Sequence, residues 1–270
     1  MKKVLLVISL FVTLLGSASA QSSVYVKFRG GYGIGASKDG YLVDLNQGIA
    51  NATSKENIFA SLGQGIPLGI SGGYMLNPHM GFELDFTYMM GDKVTVMDYN
   101  IPSVAVISAK AFTRHIQASP NFVMASGGDR FNVYTKVGFV FPFVGKSYVE
   151  VTNATDPTKL MFIRQDIKGD PSMGYKGALG VDVKIASKVA FFTEIEGVHL
   201  KILRSEHDIT KFTVNGNDML ANYTALTGKA VKVKYYDRLE GADLTDPSKA
   251  LKTTSPYGKI GLNFGLKFTL

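Results

Sequence analysis

Two carboxylates, a histidine and a serine are the first residues whose types and spacing suggest chemistry. Glu83 and Asp85 fall on the polar face of one predicted strand, and His115 and Ser119 share the polar face of the next. A serine, a histidine and an acid are the components of a hydrolytic triad. Residues four apart on a strand are, however, about 13 Å apart, which is beyond hydrogen-bond reach. We therefore predict no catalytic site at these positions.

A glycine-rich run at residues 31–36 superficially matches a dinucleotide-binding motif. That motif needs a helix whose N-terminus faces the pyrophosphate, whereas this run lies inside a predicted strand and continues into a polar loop. The histidines show no metal-ligand spacing, and the chain has no cysteine to form a thiolate metal site or a disulfide. The sequence therefore predicts no cofactor and no bound metal.

Charged residues recur at alternate positions along the predicted strands, which places them on one common side of the sheet. The set comprises Lys27, Arg29, Glu83, Asp85, Lys136, Lys176, Asp182, Lys184, Glu194, Glu196, Lys259 and Lys267. Buried charges are tolerable only when they are paired and hydrogen-bonded. If this side faces the interior of a barrel, the set forms a salt-bridged charge network in the lumen. A proton or ion relay is the functional alternative.

Eight segments with alternating apolar and polar residues must position these charges. They span residues 23–36, 65–76, 79–90, 109–124, 131–151, 175–185, 189–203 and 256–270. The last segment is the most regular, and its apolar face continues to the end of the chain. That face includes Leu262, Phe264, Leu266, Phe268 and Leu270. A strand with one apolar face and one face of polar or small residues is typical of a strand that contacts lipid.

Short and long connections alternate strictly between the eight segments. The long ones fall at about residues 37–64, 91–108, 152–172 and 205–255. This is the layout of an outer-membrane barrel, with tight periplasmic turns and long external loops. We predict an all-β fold, an antiparallel up-and-down transmembrane β-barrel of eight strands. Alternating residues also occur within the last long connection, at residues 230–236. They form either a hairpin above the membrane or two more spanning strands, so ten strands are the alternative.

The first twenty residues have the features of a secretory signal peptide. Lys2 and Lys3 precede an apolar run, and Ala18 and Ala20 frame a small-residue cleavage site. Cleavage after Ala20 leaves residues 21–270 as the barrel domain, and no later apolar run is long enough for a transmembrane helix. The net charge of +7 is spread along strands and loops, so we expect no binding of nucleic acid.

Three stretches carry a resemblance to a known family: residues 73–84 (GYMLNPHMGFEL), 192–197 (FTEIEG) and 261–268 (GLNFGLKF). They are similar to the small outer-membrane β-barrel proteins of Gram-negative bacteria, the group of OmpA-like, OmpX-like and OmpW-like barrels. The resemblance implies location in the outer membrane, contact with outer-membrane lipid and lipopolysaccharide, and insertion by the barrel assembly machinery. It also makes the apolar face of the closing strand the insertion signal. That signal usually ends in an aromatic residue, whereas this chain ends in Leu270.

An eight-stranded barrel is just wide enough for its own side chains to fill the interior. We therefore expect a non-enzymatic integral outer-membrane protein with a largely closed lumen. Its surface-exposed loops would bind an extracellular ligand or help to structure the envelope. The alternatives are a passive channel for small or hydrophobic solutes and, by analogy of fold, a barrel enzyme that modifies lipid A.

Overall fold

The computed structural model describes residues 23–36, 48–51, 55–101 and 105–270. The predicted signal peptide, residues 1–20, lies outside the described residues, and so does part of the first long connection. The strands are β1 Ser23–Gly35, β2 Gly48–Asn51, β3 Lys55–Asn57, β4 Gly65–Asn77, β5 Met80–Gly91, β6 Val94–Ile101, β7 Ala105–Ala125, β8 Phe131–Asn153, β9 Met161–Gly169, β10 Gly174–Ala186, β11 Val189–His199, β12 Lys201–Val214, β13 Asn217–Asp218, β14 Lys232–Tyr236, β15 Lys249–Leu251, β16 Thr254–Pro256 and β17 Lys259–Thr269. A short helix, α1, spans Tyr223–Thr227.

Eight of these strands close into an antiparallel barrel. The order around the wall is β1, β4, β5, β7, β8, β10, β11 and β17, and β17 pairs with β1 to complete the circle. The eight-stranded prediction is confirmed. The ten-stranded alternative is wrong, because β12 pairs with β14 and with β9 outside the barrel wall.

The alternation of residue types decides which side of each strand faces the lumen. Along β5, for example, Glu83 and Asp85 are buried, whereas Phe82 and Phe86 are exposed on the outer surface. Adjacent residues on a strand point to opposite faces, so the polar set lines the interior and the apolar set forms a belt around the outside. This is the arrangement of a barrel that is surrounded by lipid.

The end of the barrel that carries the long connections, here called the outer end, continues into a second body of β-structure. Connections that the sequence suggested as loops contain β6, β9 and the group β12–β16. β7 and β8 run on past the barrel, so β6 pairs with β7, and β9 pairs with β8 and then with β12. The predicted seventh strand is also shorter than expected: β11 ends at His199, and β12 leaves the wall to join this outer sheet.

A small apolar cluster of its own supports the outer sheet. It consists of the buried residues Ile209, Phe212 and Tyr223, and the rings of Phe212 and Tyr223 meet edge to face at 5.2 Å. No helix among the described residues is long and apolar enough to cross a membrane.

Candidate functional site: the lumen charge network

Most of the charged residues predicted to share one face meet inside the barrel. We use the name lumen charge network for Lys27, Arg29, Glu83, Asp85, Lys136, Lys176, Glu194, Glu196 and Lys259, all of which are buried. They come from six strands around the wall, namely β1, β5, β8, β10, β11 and β17. The contacts between them therefore cross the lumen and do not simply follow one strand pair.

On one side of the network, Glu83 binds two lysines and a tyrosine. Its carboxylate lies 3.0 Å from Lys27 Nζ and 2.8 Å from Lys136 Nζ, and it accepts a hydrogen bond of 2.8 Å from the Tyr25 hydroxyl. The Lys27 ammonium also lies 4.1 Å from the centroid of the Tyr134 ring. Each oxygen of the carboxylate thus has a charged partner, as a buried carboxylate requires.

Arg29 joins the two glutamates of β11. Its Nη1 atom donates to Glu194 Oε1 and to Glu196 Oε2, both at 3.0 Å, and its Nη2 donates to Thr87 Oγ1 at 2.5 Å. Asp85 Oδ2 lies 3.6 Å from the same guanidinium group. A planar guanidinium with several donors can hold three acidic groups at once, which a single ammonium point charge does less well.

Two lysines complete the network toward the outer end. Lys176 contacts Asp85 and lies 3.2 Å from Glu196 Oε2. Lys259 Nζ lies 3.2 Å from Glu196 Oε1, which is an ion-pair distance without the geometry of a good hydrogen bond. The basic residues of β1 and β17, which are neighbours in the closed wall, obtain their carboxylate partners from β5 and β11.

Three of the predicted charges lie apart from the lumen charge network. Asp182 and Lys267 form a separate pair at 2.7 Å at the periplasmic end of the lumen. Lys184 is exposed, so its assignment to the interior is not what the structure shows. The reason is local: the pairing of β10 with β11 shifts register between Lys184 and Ala186, where the hairpin emerges from the barrel.

Close packing around the network requires a glycine at position 73. A Cβ atom added to Gly73 on β4 would overlap the ring of Tyr25. Because that ring carries the hydroxyl bonded to Glu83, the glycine makes room for one of the ligands of the network. The next residue toward the N-terminus, Gly72, has open space around its Cβ position.

Neutral partners in the network were missed from the sequence. Tyr134 donates to Glu194 Oε2 at 3.0 Å, Asn121 donates to Asp85 Oδ2 at 3.1 Å, and Asn263 donates to Glu194 Oε1 at 3.2 Å. They were missed because only charged residues of the inward face were considered. The alternation of residues along each strand also places these tyrosine and asparagine side chains inward, so it could have identified them.

An apolar layer fills the lumen beyond the network, at the outer end. It is formed by residues from β6, β7, β8, β9, β11 and β12 and from the segments that precede β4 and β17. The buried members are Ala60, Leu62, Val96, Ala109, Ala111, Val140, Val149, Ile167, Val198, Leu200, Ile202 and Tyr257. The lumen is therefore filled in two layers, a charged one and an apolar one.

A gap in the barrel wall lies beside this apolar layer. β8 pairs with β10 as far as Val140 and with β9 only from Ser147 onward, so among the described strands the intervening part of β8 has no partner on that side. A cavity of about 250 Å³ opens there, and its lining includes Pro142, Val144 and Pro171. We call this cavity the wall pocket.

His115 lies at the inner side of the wall pocket and not in a catalytic arrangement. Its Nδ1 atom is 3.2 Å from Thr113 Oγ1, its Nε2 is 3.1 Å from Gln117 Oε1, and its ring meets the Tyr257 ring edge to face at 5.4 Å. Ser119 is not among these contacts, in agreement with the spacing argument. Within the described part of the chain, no group of three or more histidine or acidic residues is placed to hold a metal ion.

Ion pairs in the outer sheet differ from those in the lumen because they are exposed to water. Glu206 Oε1 lies 2.8 Å from Lys168 Nζ and 3.1 Å from Lys232 Nζ, and hydrogen bonds from these lysines lower the pKa of Glu206. Beside them, burial is the main cause that lowers the pKa of His207, with a further contribution from the positive charge of Arg204.

Comparison with known proteins places this architecture in a family. The family model for the outer membrane protein beta-barrel domain matches residues 5–235. A search of curated proteins gave no match. Among solved structures, the chain is similar to OprG from Pseudomonas aeruginosa (11% identity, 94% of this chain and 98% of that chain covered, TM-score 0.46). It is also similar to Neisserial surface protein A (11%, 92% and 97%, TM-score 0.36) and to Ail, the attachment invasion locus protein of Yersinia pestis (12%, 92% and 97%, TM-score 0.30). The family match spans most of the sequence, and the chain belongs to the outer membrane protein beta-barrel domain family.

Proposed function

We propose that this protein is a non-enzymatic outer-membrane protein whose closed barrel holds a folded contact surface outside the cell. The observation that carries the proposal is the combination of a lumen filled in two layers with strands that continue beyond the barrel into a sheet with its own apolar cluster. A pore needs free space along its axis, whereas a contact surface needs ordered structure beyond the membrane. In the described part of the chain, side chains fill the space along the axis, and the outer sheet is ordered structure beyond the barrel.

Conductance tests the closed lumen directly. The full-length protein, refolded and inserted into a planar lipid bilayer, is expected to show no long-lived open level at moderate voltage. The positive control is a general porin inserted into the same bilayer, which should show a stable open level. A large, stable conductance of the unaltered protein would overturn the proposal.

Binding tests the contact surface. Cells that display the protein are compared with cells that lack it for adhesion to extracellular matrix and for cell-to-cell aggregation. We expect a difference that disappears when the outer sheet is removed by joining β12 to β16 through a short turn, because Lys201–Leu203 of β12 already pairs with β16 as a hairpin stem. Equal behaviour of both cell types would count against a contact role and would favour a purely structural one.

The wall pocket supports a second candidate function, the capture of a small apolar solute from the membrane side. Phe143 and Val144 at its edge are 56% and 55% exposed, respectively, so an apolar molecule in the lipid can reach them. The lining also contains the buried polar residues Thr113, His115 and Ser147, so the pocket offers polar groups beside its apolar ones. Uptake of a small apolar solute should fall in Ser147→Trp, which fills the pocket, if this function is used. Unchanged uptake would count against solute capture, and the contact role would remain as the proposed function.

A further inference from the structure

A cluster of cations and aromatic rings stands on the outward face of the wall, directly above the apolar belt. We call it the rim patch and define it as Lys93, Lys110, Phe112, Arg114, Lys146, Tyr148 and Arg164, with the carboxylates Glu150 and Asp166 between them. It does not belong to the lumen charge network. It also lies lower than the outer sheet's free end, on the side that faces neighbouring lipid.

The cross-strand register fixes the height of the rim patch. On the outward face of β7 and β8, Ile116 pairs with Val144, the next outward pair is Arg114 with Lys146, and Phe112 with Tyr148 follows. Two residues along a strand correspond to about 7 Å. The cations therefore begin one step above the lipid-facing side chains, at the level where headgroups of the outer leaflet lie.

The two rings form the centre of the rim patch. Phe112 and Tyr148 stack at 4.9 Å with an angle of 22° between their planes. The guanidinium carbon of Arg164 lies 4.8 Å from the centroid of Tyr148, and that of Arg114 lies 5.5 Å from the centroid of Phe112. Stacking on rings holds guanidinium groups in fixed planes, so their donors are presented in one orientation.

The carboxylates lie beneath the cations and do not cover them. Glu150 and Asp166 are 16% and 15% exposed at the side chain, whereas Lys93, Lys146 and Arg164 are 54%, 42% and 38% exposed. Glu150 lies 2.6 Å from Lys93, and Asp166 lies 3.2 Å from Lys146, which orients both ammonium groups. With more than twice as many cations as carboxylates, the face that meets the lipid is positive.

We propose that the rim patch binds the phosphorylated sugar headgroup of the glycolipid in the outer leaflet of the membrane. Guanidinium and ammonium groups form short, charge-assisted hydrogen bonds to phosphate, and the partly exposed side chains of Lys93, Lys146 and Arg164 supply such donors. The patch is at headgroup height at the outer end, which selects the outer leaflet. This inference concerns the side of the protein and is independent of any ligand that the outer sheet contacts.

The test uses the full-length protein in detergent and measures binding of bis-phosphorylated lipid A. Lys146→Gln/Arg164→Gln should weaken binding by about tenfold or more. The matched control is Lys159→Gln/Arg238→Gln, which removes one exposed lysine and one exposed arginine from connections of the outer sheet that lie outside the rim patch, and it should change affinity by less than about twofold. Heat-dependent gel mobility verifies that each variant is folded. Lys146→Arg keeps the charge and leaves the stacked Arg164 in place, so it should retain most of the binding, even if the neutral variant folds poorly.

Three results would overturn the proposal. The first is equal affinity for lipid A from which both phosphates have been removed. The second is an equal loss of binding in the control variant, which would mean a general effect of positive charge. The third is equal affinity for phosphatidylglycerol, which would show an unselective anionic surface and not a glycolipid site. Neither conductance nor adhesion enters this test, so its failure is distinguishable from failure of the proposed function.

Discussion

Replacement of Glu83 by glutamine should destabilise the barrel far more than the same change at an exposed position. The Glu83 carboxylate is fully buried and has ion-pair contacts with Lys27 at 3.0 Å and Lys136 at 2.8 Å. Glutamine keeps the shape and can still accept a hydrogen bond from Tyr25, but it removes the negative charge. Two charge-assisted hydrogen bonds of about 1.5–3 kcal/mol each are weakened. Leaving a buried charge without its partner costs about 3–5 kcal/mol in general, so we expect a loss in that range.

The assay is equilibrium unfolding by urea of the full-length protein in lipid vesicles, followed by tyrosine fluorescence and gel mobility. The matched control is Glu206→Gln, since Glu206 also has ion-pair contacts with two lysines, at 2.8 Å and 3.1 Å. Those lysines are 48% and 53% exposed at the side chain, and an exposed ion pair contributes less than about 1 kcal/mol.

A double variant identifies the cause of the loss. In Glu83→Gln/Lys27→Met the unpaired ammonium is removed as well, so the double variant should be less destabilised than the sum of the single ones by about 1–3 kcal/mol. If Glu83→Gln costs no more than Glu206→Gln, or if the two single losses simply add, the charges are not coupled in the lumen and the reasoning fails.

Three further measurements address other parts of the molecule. Gly73→Ala should lower the free energy of unfolding by about 1–3 kcal/mol because its methyl group displaces the Tyr25 ring, whereas Gly72→Ala in the same assay should stay within about 0.5 kcal/mol. The lowered pKa of His207 means that the unfolded state binds more protons, so stability of the outer sheet should fall as pH drops below about 6.5. Amide exchange in β12 between pH 7 and pH 5 reports this, and His207→Gln should remove the dependence. Phe268→Ala should slow insertion of the chain into vesicles by the purified assembly machinery, if the closing strand is the insertion signal, and an unchanged rate would remove that role.

Local pattern was sufficient to predict the wall of the barrel but not its contents. The strand predicted over residues 79–90 is β5 almost to the residue, because alternation requires only the order of residue types. Which carboxylate meets Lys27 depends on the tilt and stagger of strands across the closed circle, and no short stretch of sequence contains that information. Tyr25 was overlooked as a ligand of Glu83 for the same reason.

The outer sheet shows a different limit of sequence-based prediction. β9 and β12 lie in regions that were predicted as loops, and their pairing depends on the length by which β7 and β8 exceed the membrane. Residues 161–169 alternate in part, with Met161, Ile163 and Ile167 on one face and Arg164, Asp166 and Lys168 on the other. So short a stretch does not show which strand it pairs with, because its surroundings are set by other parts of the chain.

Charges in the lumen are not needed for stability alone, because apolar residues of similar volume could fill a barrel at no greater cost in free energy. They also determine which face of each strand points inward. A strand with two apolar faces has no preferred side, and a slip by one residue exchanges its two faces. In β1 such a slip would move Lys27 and Arg29 into the lipid and Phe28 into the lumen. A charge in the middle of the membrane on the lipid side costs about 2–4 kcal/mol, and the slip would also separate Lys27 from Glu83 and Arg29 from Glu194. The lumen charge network therefore fixes the register of β1 against both of its neighbours.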